Sequence, residues 1–434
     1  MGRAGIWPAL SDMLPDSNQL RHQHGPSKSY AMISEEEARA NILAAVQPLP
    51  VCAVPIADAL DRFAAQDYFA QVPLPVFDNS AMDGYAVKAA DARRGKRLRV
   101  IGEQPAGQDR HLRISSGEAI RIFTGAPVPV SADAVVMQED VIADKNEIVV
   151  NIDADPGDFV RRRGCDLSEG QKILSNGERL RPTTLALLAA QGLGEIAIGG
   201  EVSAAILSTG DELARPGKPL APGQIYESNS TLLHALAQRC GARVTFMEHC
   251  RDDRDALIDA ISRGARNRVL IITGGVSVGE RDLVRMALQA LGAKIDIWRV
   301  AIKPGKPFLF AAANPSGGGG FDRLGACSVF GLPGNPVSAF VTFLRFVQPA
   351  ILKMAGAGKH ELEPQMIPAE LTVDLHNEGD RAHYMRGKFE DGKFQPVGRQ
   401  ESHALFGLSQ ANALLRLAPG DDIKRGALVQ VQLV

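Results

Sequence analysis

The chain has 434 residues, 45% apolar and 23% charged, with 48 Lys and Arg against 50 Asp and Glu for a formal charge of −2. That composition fits a chain with real cores and roughly three domains, and it excludes a generic electrostatic case for nucleic acid. Five cysteines without a C-x-x-C pair exclude a disulfide framework, and Ala339 to Met354, the best apolar run, is broken by Arg345 and Pro349, so a cytoplasmic protein without a membrane partner is expected.

Residues 1–31 form a polar leader expected to be disordered, and His22 and His24 within it read as part of that leader rather than as metal ligands. Ser34-Glu35-Glu36-Glu37 is a capping box with Ser34 as N-cap, and Ala38, Ile42, Ala45 and Val46 continue at helical spacing. From about Val72 to Asp158, the short runs RLRVIGE, AIRIF, DAVVMQE and EIVVNI predict a small all-β insertion. Its flanks, around 46–64 and 181–191, read as helical and able to pack together. Within it, Phe77 to Ala86 reads as an Asx-type turn, and Arg161-Arg162-Arg163 reads first as a solvated basic face.

From Glu201 to about Lys353 strand and helix alternate, with Gly241, Gly264 and Gly292 just past three helices, which predicts a parallel sheet covered on both faces. Asn335-Pro336 opens a further helix, Asn as N-cap and Pro at its first position, and Gly317 to Gly320 reads as a loop. The tail returns to β structure, with Asp391-Gly392 as a hairpin turn and GALVQVQLV as a half-buried strand.

Four polar, Gly-rich segments fall where ligands bind such sheets, beyond the strand ends: Ser208 to Glu212, Thr273 to Ser277, Lys303 to Pro307 and Leu332 to Pro336. Together they suggest a crevice lined by backbone N–H groups, an anion site. Gly274 to Gly279 is followed by Glu280-Arg281, not Lys-Ser/Thr, which rejects a P-loop, and G-x-G-x-x-G is absent there. Glu212, Asp252 and Asp282 share this edge with Lys303 and Lys306. A bare carboxylate repels phosphate, so the mixture makes sense when a divalent cation such as Mg²⁺ bridges acids and phosphate while the lysines hold another anion. The plain alternatives are that Asp252 caps the helix near Asp253 and that Asp282 complements a helix dipole.

The segments FDNSAMDGYAV (77–87), RIFTGAPVP (121–129), VMQED (136–140), RRRGCD (161–166), STGDEL (208–213), GQIYESN (223–229), TGGVSVGERD (273–282), AIKPGKPF (301–308) and GLPGNPVSA (331–339), in that order, resemble the molybdopterin molybdenumtransferase family, which includes the E domain of gephyrin. The resemblance covers about residues 33–434. It implies an elongated homodimer of multidomain α/β subunits: a molybdopterin-binding three-layer α/β/α domain (32–45 plus 198–353), an inserted all-β domain (65–170), a small mixed linking domain (46–64 plus 171–197) and a C-terminal β-barrel-like domain (354–434). The implied reaction joins molybdate, as substrate, to adenylylated molybdopterin and releases AMP, with Mg²⁺ as helper. The adenylylating enzyme and molybdoenzyme acceptors are the implied further partners.

By the resemblance, Glu212, Asp252 and Asp282 are acidic active-site residues, Glu212 and Asp282 being the metal ligands. Thr209, Gly210, Asp211, Asn229, Gly274, Gly275 and Ser277 line the substrate path. Lys303, Lys306, Pro307, Ser338, Arg386 and Ser402 form the molybdate side, while Asp78 and Thr124 face a neighbouring subunit's cleft as catalytic residues. Val76, Thr273, Met385 and Glu401 depart from the usual pattern, Glu401 setting a carboxylate beside Ser402. A molybdopterin adenylyltransferase lacks the FDNSAMDGYA and KPGKP segments, and a catalytically silent scaffold of the same fold is the remaining alternative.

Overall fold

The computed structural model describes residues 32–275, 282–312 and 326–434. The expectations for the 1–31 leader, for Ser277 and for the Gly317 to Gly320 loop lie outside these residues. The chain divides into two units, one made of the described parts of Met1–Gln47, Val202–Ile351 and Pro364–Val434, the other of Pro48–Glu201 and Leu352–Glu363.

In the first unit a six-stranded sheet runs in the order Arg243–Cys250, Ser203–Thr209, Val269–Thr273, Ser328–Leu332, Pro307–Ala312, Ile295–Arg299. The first four are mutually parallel, but Pro307–Ala312 is antiparallel to both its neighbours, so the expected parallel sheet is mixed. The reason is local: the sequence from Ile295 to Ala312 doubles back through Lys303 to Pro307 without a crossover helix. Helices Arg254–Gly264 and Leu283–Ala290 cover one face, where Leu257, Ile261, Val284 and Leu288 are fully buried against Leu207, Leu270 and Ile272. Burying each such side chain contributes about 1.5–3 kcal/mol.

The segment Pro336–Met354 is helical, with a π-turn at Phe343–Val347, and is long and apolar enough to cross a bilayer by length and composition. Its apolar window is 78% buried, which marks it as a core helix. The strands Met366–Leu371, Ala382–Glu390, Lys393–Pro396, Ala413–Leu417 and Leu428–Leu433 close on themselves through the pairing of Ala382–Glu390 with Ala413–Leu417, a small barrel around Leu371, Phe394, Leu415 and Val431. Asp391 and Gly392, at φ 49° and 73°, make its hairpin turn.

Helix Glu35–Ala45 starts as expected, with the Ser34 hydroxyl accepting from the Glu37 N–H. Glu35, however, is 3% exposed. Its carboxylate accepts from Arg345 (2.5 Å), the Tyr384 hydroxyl (2.6 Å) and Arg416 (3.1 Å), which ties this helix to the π-turn and to the barrel.

The second unit holds a six-stranded sheet in the order Ala134–Met137, Gly84–Val87, Glu118–Ile122, Arg97–Gln104, Glu147–Val150, Val141–Asp144. The 46–64 flank is not helical as expected. Cys52–Pro55 is a strand paired antiparallel with Glu195–Ile198, and only Ile56–Asp58 makes a 3₁₀ turn. The β-branched Val54 packs there beside Leu180, Leu188 and Ile196, on helix Pro182–Ala190 and its neighbours.

Candidate functional site

Register fixes a row of residues across the sheet of the first unit. Ser208 pairs with Thr273 and Thr273 with Leu332, so Thr209, Gly274 and Pro333 follow at one edge. Leu309 pairs with Gly331, which puts Pro307, the first residue of its antiparallel strand, at the same edge. The Lys303 to Pro307 segment thus reaches the crevice by preceding a strand rather than following one. Gly305, at φ 122°, lies against the Pro336–Thr342 helix: a Cβ there would stand 2.6 Å from the Thr342 Cγ2.

On the acidic side the Thr209 hydroxyl donates to the Asp252 carboxylate at 2.5 Å, and the Asp252 N–H donates to Asp211 at 3.3 Å. The helix after Asp252 is capped by Asp253, whose carboxylate accepts from the Ala256 N–H, so Asp252 is not its cap. Asp282 is the N-cap of its helix, 2% exposed, and accepts from the Arg285 N–H at 2.7 Å. Gly274 and Gly275, at φ 85° and 62°, crowd Thr209: added Cβ atoms would stand 2.2 Å from the Thr209 carbonyl oxygen and 2.7 Å from its Cγ2. At Gly210, φ 146°, a Cβ would stand 2.7 Å from the Glu212 carboxylate, whose residue is exposed.

Asn229 opens helix Asn229–Arg239 and is 7% exposed. Its amide nitrogen donates to the Thr273 hydroxyl (2.9 Å) and the Gly334 carbonyl (2.7 Å), while its Oδ1 has no partner among the described residues. A buried acceptor left without a donor is unfavourable by about 1–3 kcal/mol, which marks this as a place a ligand donor would satisfy.

On the other side Asn335 does not cap with its side chain. It donates to the Ser402 hydroxyl at 2.9 Å, while the Val337 N–H donates to the Ser402 carbonyl at 3.1 Å. Arg386 is fully buried and its guanidinium donates to the carbonyls of Arg399 and of Glu401 (3.3 Å), with Nε unpartnered among the described residues. Burial lowers its pKa. The Glu401 carboxylate itself stands 3.3 Å from His403, half-exposed. Lys303 pairs in register with His383 across two parallel strands. Burial first, then the charges of Lys303, Arg386 and Arg381, push the His383 pKa down to about 4. Lys303 and Lys306 are exposed, and Ser338 is buried, its carbonyl accepting from Thr342 at 2.7 Å and standing 3.9 Å from where a Cβ on Gly305 would lie. His383 carries no signal in the sequence beyond its neighbours' motif, and Asn335 signals an N-cap rather than its bond to Ser402.

The second unit holds Asp78 and Thr124. Asp78 accepts from the Arg163 N–H (2.7 Å) and the Arg162 guanidinium (2.8 Å), and these bonds, the first above all, lower its pKa. Two of the three arginines therefore brace this turn rather than forming an independent solvated face. The Thr124 N–H and hydroxyl both donate to Asp83, at 2.7 and 2.8 Å. Gly84 is required beside it, because a Cβ would stand 2.0 Å from the Val136 carbonyl oxygen.

Glu212 and Asp282 carry carboxylate oxygens, the donor type that Mg²⁺ takes. No group of three or more His, Cys, Asp or Glu is spaced to hold a metal ion among the described residues.

Fold and crevice together define a multidomain α/β protein with a polar, Gly-rich strand edge. Three family models match it: the MoeA N-terminal region (domain I and II) over residues 33–192, a probable molybdopterin binding domain over 205–353, and the MoeA C-terminal region (domain IV) over 368–434. The molybdopterin molybdenumtransferase of Haemophilus influenzae is 35% identical over 89% of this chain and 94% of that protein. The one from Nostoc sp. is 37% identical over 83% of each. The crystal structure of a molybdopterin biosynthesis moeA protein from Pyrococcus horikoshii superposes with a TM-score of 0.78 at 27% identity, covering 93% of this chain and all of that one. The chain belongs to the molybdopterin molybdenumtransferase family.

Proposed function

We propose that this chain catalyses the family's reaction as its relatives' names describe it, transferring molybdenum to molybdopterin. In detail, molybdate and adenylylated molybdopterin are the substrates: the two dithiolene thiols bind molybdenum and pass their protons to one molybdate oxygen, which leaves as water, while water adds to the phosphoanhydride to give the pterin phosphate and AMP. The observation that carries this reading is the joining, at one strand edge, of an acid-lined end (Thr209, Asp211, Asp252) and a cationic end (Lys303, Lys306, Pro307). Two anionic reactants need separate neutralisation, since a like-charged pair 4 Å apart costs about 4 kcal/mol at an effective dielectric of 20.

We assign Thr209, Gly210, Asn229, Gly274 and Gly275 to the nucleotide and pterin phosphate, with the unpartnered Asn229 Oδ1 as an acceptor for a ligand N–H or O–H. Asp252, held by Thr209, fixes the acidic end. Glu212 and Asp282 would hold Mg²⁺, which supplies charge neutralisation at the anhydride when bound. Lys303 and Lys306 neutralise molybdate, and Ser338 and Ser402 supply hydroxyl donors. Asp78 and Thr124 act, on the resemblance, in the cleft of a second copy of the chain. A cytoplasmic location belongs to the same reading.

The test mixes purified protein, adenylylated molybdopterin, Mg²⁺ and molybdate, and measures AMP and active cofactor together. Both rise in parallel if the reading is right. AMP release without cofactor, or neither product, would refute it.

A further inference from the structure

An apolar cavity beside the crevice belongs to none of the roles assigned above. It measures about 570 Å³ and is walled by Pro216, Tyr226, Leu232 and Leu405, with Ser228 and Thr231 at its margin. That volume lies within the range of about 300–1,000 Å³ of small-molecule pockets. Tyr226 and Leu405 remain 48% and 39% exposed there, apolar surface that an occupant would cover.

Three observations connect the cavity to the crevice. Tyr226 ends a short strand, Ile225–Tyr226, that pairs in parallel with Leu213–Ala214, the residues directly after Glu212. Ser228 immediately precedes Asn229, whose amide holds Thr273 and Gly334. Leu405 opens helix Leu405–Ser409, three residues beyond Ser402. The walls are wrong for either anion. The Glu227 carboxylate is the acid at the rim, committed to the Ser230 N–H at 2.8 Å, and hydroxyls are the other polar groups.

We infer that this cavity is a stacking slot for a planar heteroaromatic ring of the substrate, with Tyr226 as the stacking face and Leu232 and Leu405 as further apolar walls. The inference rests on the proposed function, because adenylylated molybdopterin carries two planar heteroaromatic faces, adenine and the pyrimidinone ring of its reduced pterin. Either ring has a π-face for Tyr226 and polar edges for the Ser228 and Thr231 hydroxyls. A ring seated here keeps its attached phosphate near Asn229 and the strand edge.

Calorimetric titration of the full chain with AMP, ribose 5-phosphate and pterin-6-carboxylate tests this, alongside turnover with adenylylated molybdopterin. Tyr226→Ala and Leu405→Ala are compared with Tyr226→Phe, which keeps the ring; both positions are surface-accessible, and melting curves verify folding. If adenine occupies the slot, Tyr226→Ala weakens AMP about tenfold and leaves ribose 5-phosphate unchanged, while Tyr226→Phe stays within about twofold. Weakening of pterin-6-carboxylate alone assigns the slot to the pterin ring. Unchanged binding of both in folded variants that still turn over overturns the slot and leaves the function standing. A wild-type chain that binds neither ring and makes no product overturns both.

Discussion

Arg386 carries a full charge into a place with no solvent, and what it touches decides what it does. Among the described residues its guanidinium donates to carbonyls of the Arg399–Glu401 segment, and Gln400 returns bonds to the Arg386 N–H (2.9 Å) and carbonyl (3.0 Å). The next residue is Ser402, fastened to Asn335. Arg386 is therefore a positioning residue for the loop that presents Ser402. A guanidinium spans two carbonyls with a rigid fork, and an ammonium does not. Arg386→Lys should raise half-saturating molybdate by about tenfold despite the retained charge, with faster amide exchange at residues 397–403. Wild-type molybdate dependence and exchange in that variant would remove the positioning role.

The strand-end turns show the same economy in the backbone. Gly274 has both a left-handed φ of 85° and no room, its virtual Cβ standing 2.2 Å from the Thr209 carbonyl oxygen. Gly95 shares the left-handed φ, at 80°, but nothing stands within 4 Å. Gly274→Ala should therefore abolish at least nine-tenths of activity and lower stability by more than Gly95→Ala, which costs about 1 kcal/mol and leaves turnover intact. Melting curves and AMP release on both variants separate backbone strain from loss of the crevice. This element scale was largely legible in the residues. Ser34 as a cap, the Asp391-Gly392 turn and the Gly-rich strand ends follow from short-range rules of chain conformation. What escaped was set by partners distant in the chain. Asn335 has the residue type of an N-cap, yet its amide goes to Ser402, 67 positions away. Cys52–Pro55 has too short a pattern to distinguish strand from helix, and Glu195–Ile198 decides it. The direction of Pro307–Ala312 depends on sheet order, which periodicity does not encode.

At the scale of the molecule, Glu35 is the residue that periodicity places on a helix's first turn and that tertiary structure buries instead. It joins three segments remote in sequence: its own helix, the π-turn through Arg345 and the barrel through Tyr384 and Arg416. Burial alone would raise its pKa, but the Arg345 charge, the Tyr384 hydroxyl and the bonds from both arginines outweigh burial and hold it below the ordinary carboxylate value. Burial likewise pushes the Tyr384 pKa above its ordinary range, so the hydroxyl stays a donor to Glu35. Removing the carboxylate leaves two arginines facing each other with Arg345 nearly enclosed, and breaking a buried pair in this way costs about 3–5 kcal/mol. Glu35→Gln should therefore lower unfolding stability by about that much at pH 7. Because the folded pKa is depressed, the carboxylate's contribution is complete above the unfolded value near 4.5 and is lost as pH falls through the lower folded value. The gap between wild type and Glu35→Gln should then be constant from neutral pH down to about 5 and narrow below it. Urea unfolding across that range measures it: a gap that stays constant into strong acid would show that the carboxylate's charge contributes nothing, and no gap at pH 7 would show that the three segments are held together by packing alone.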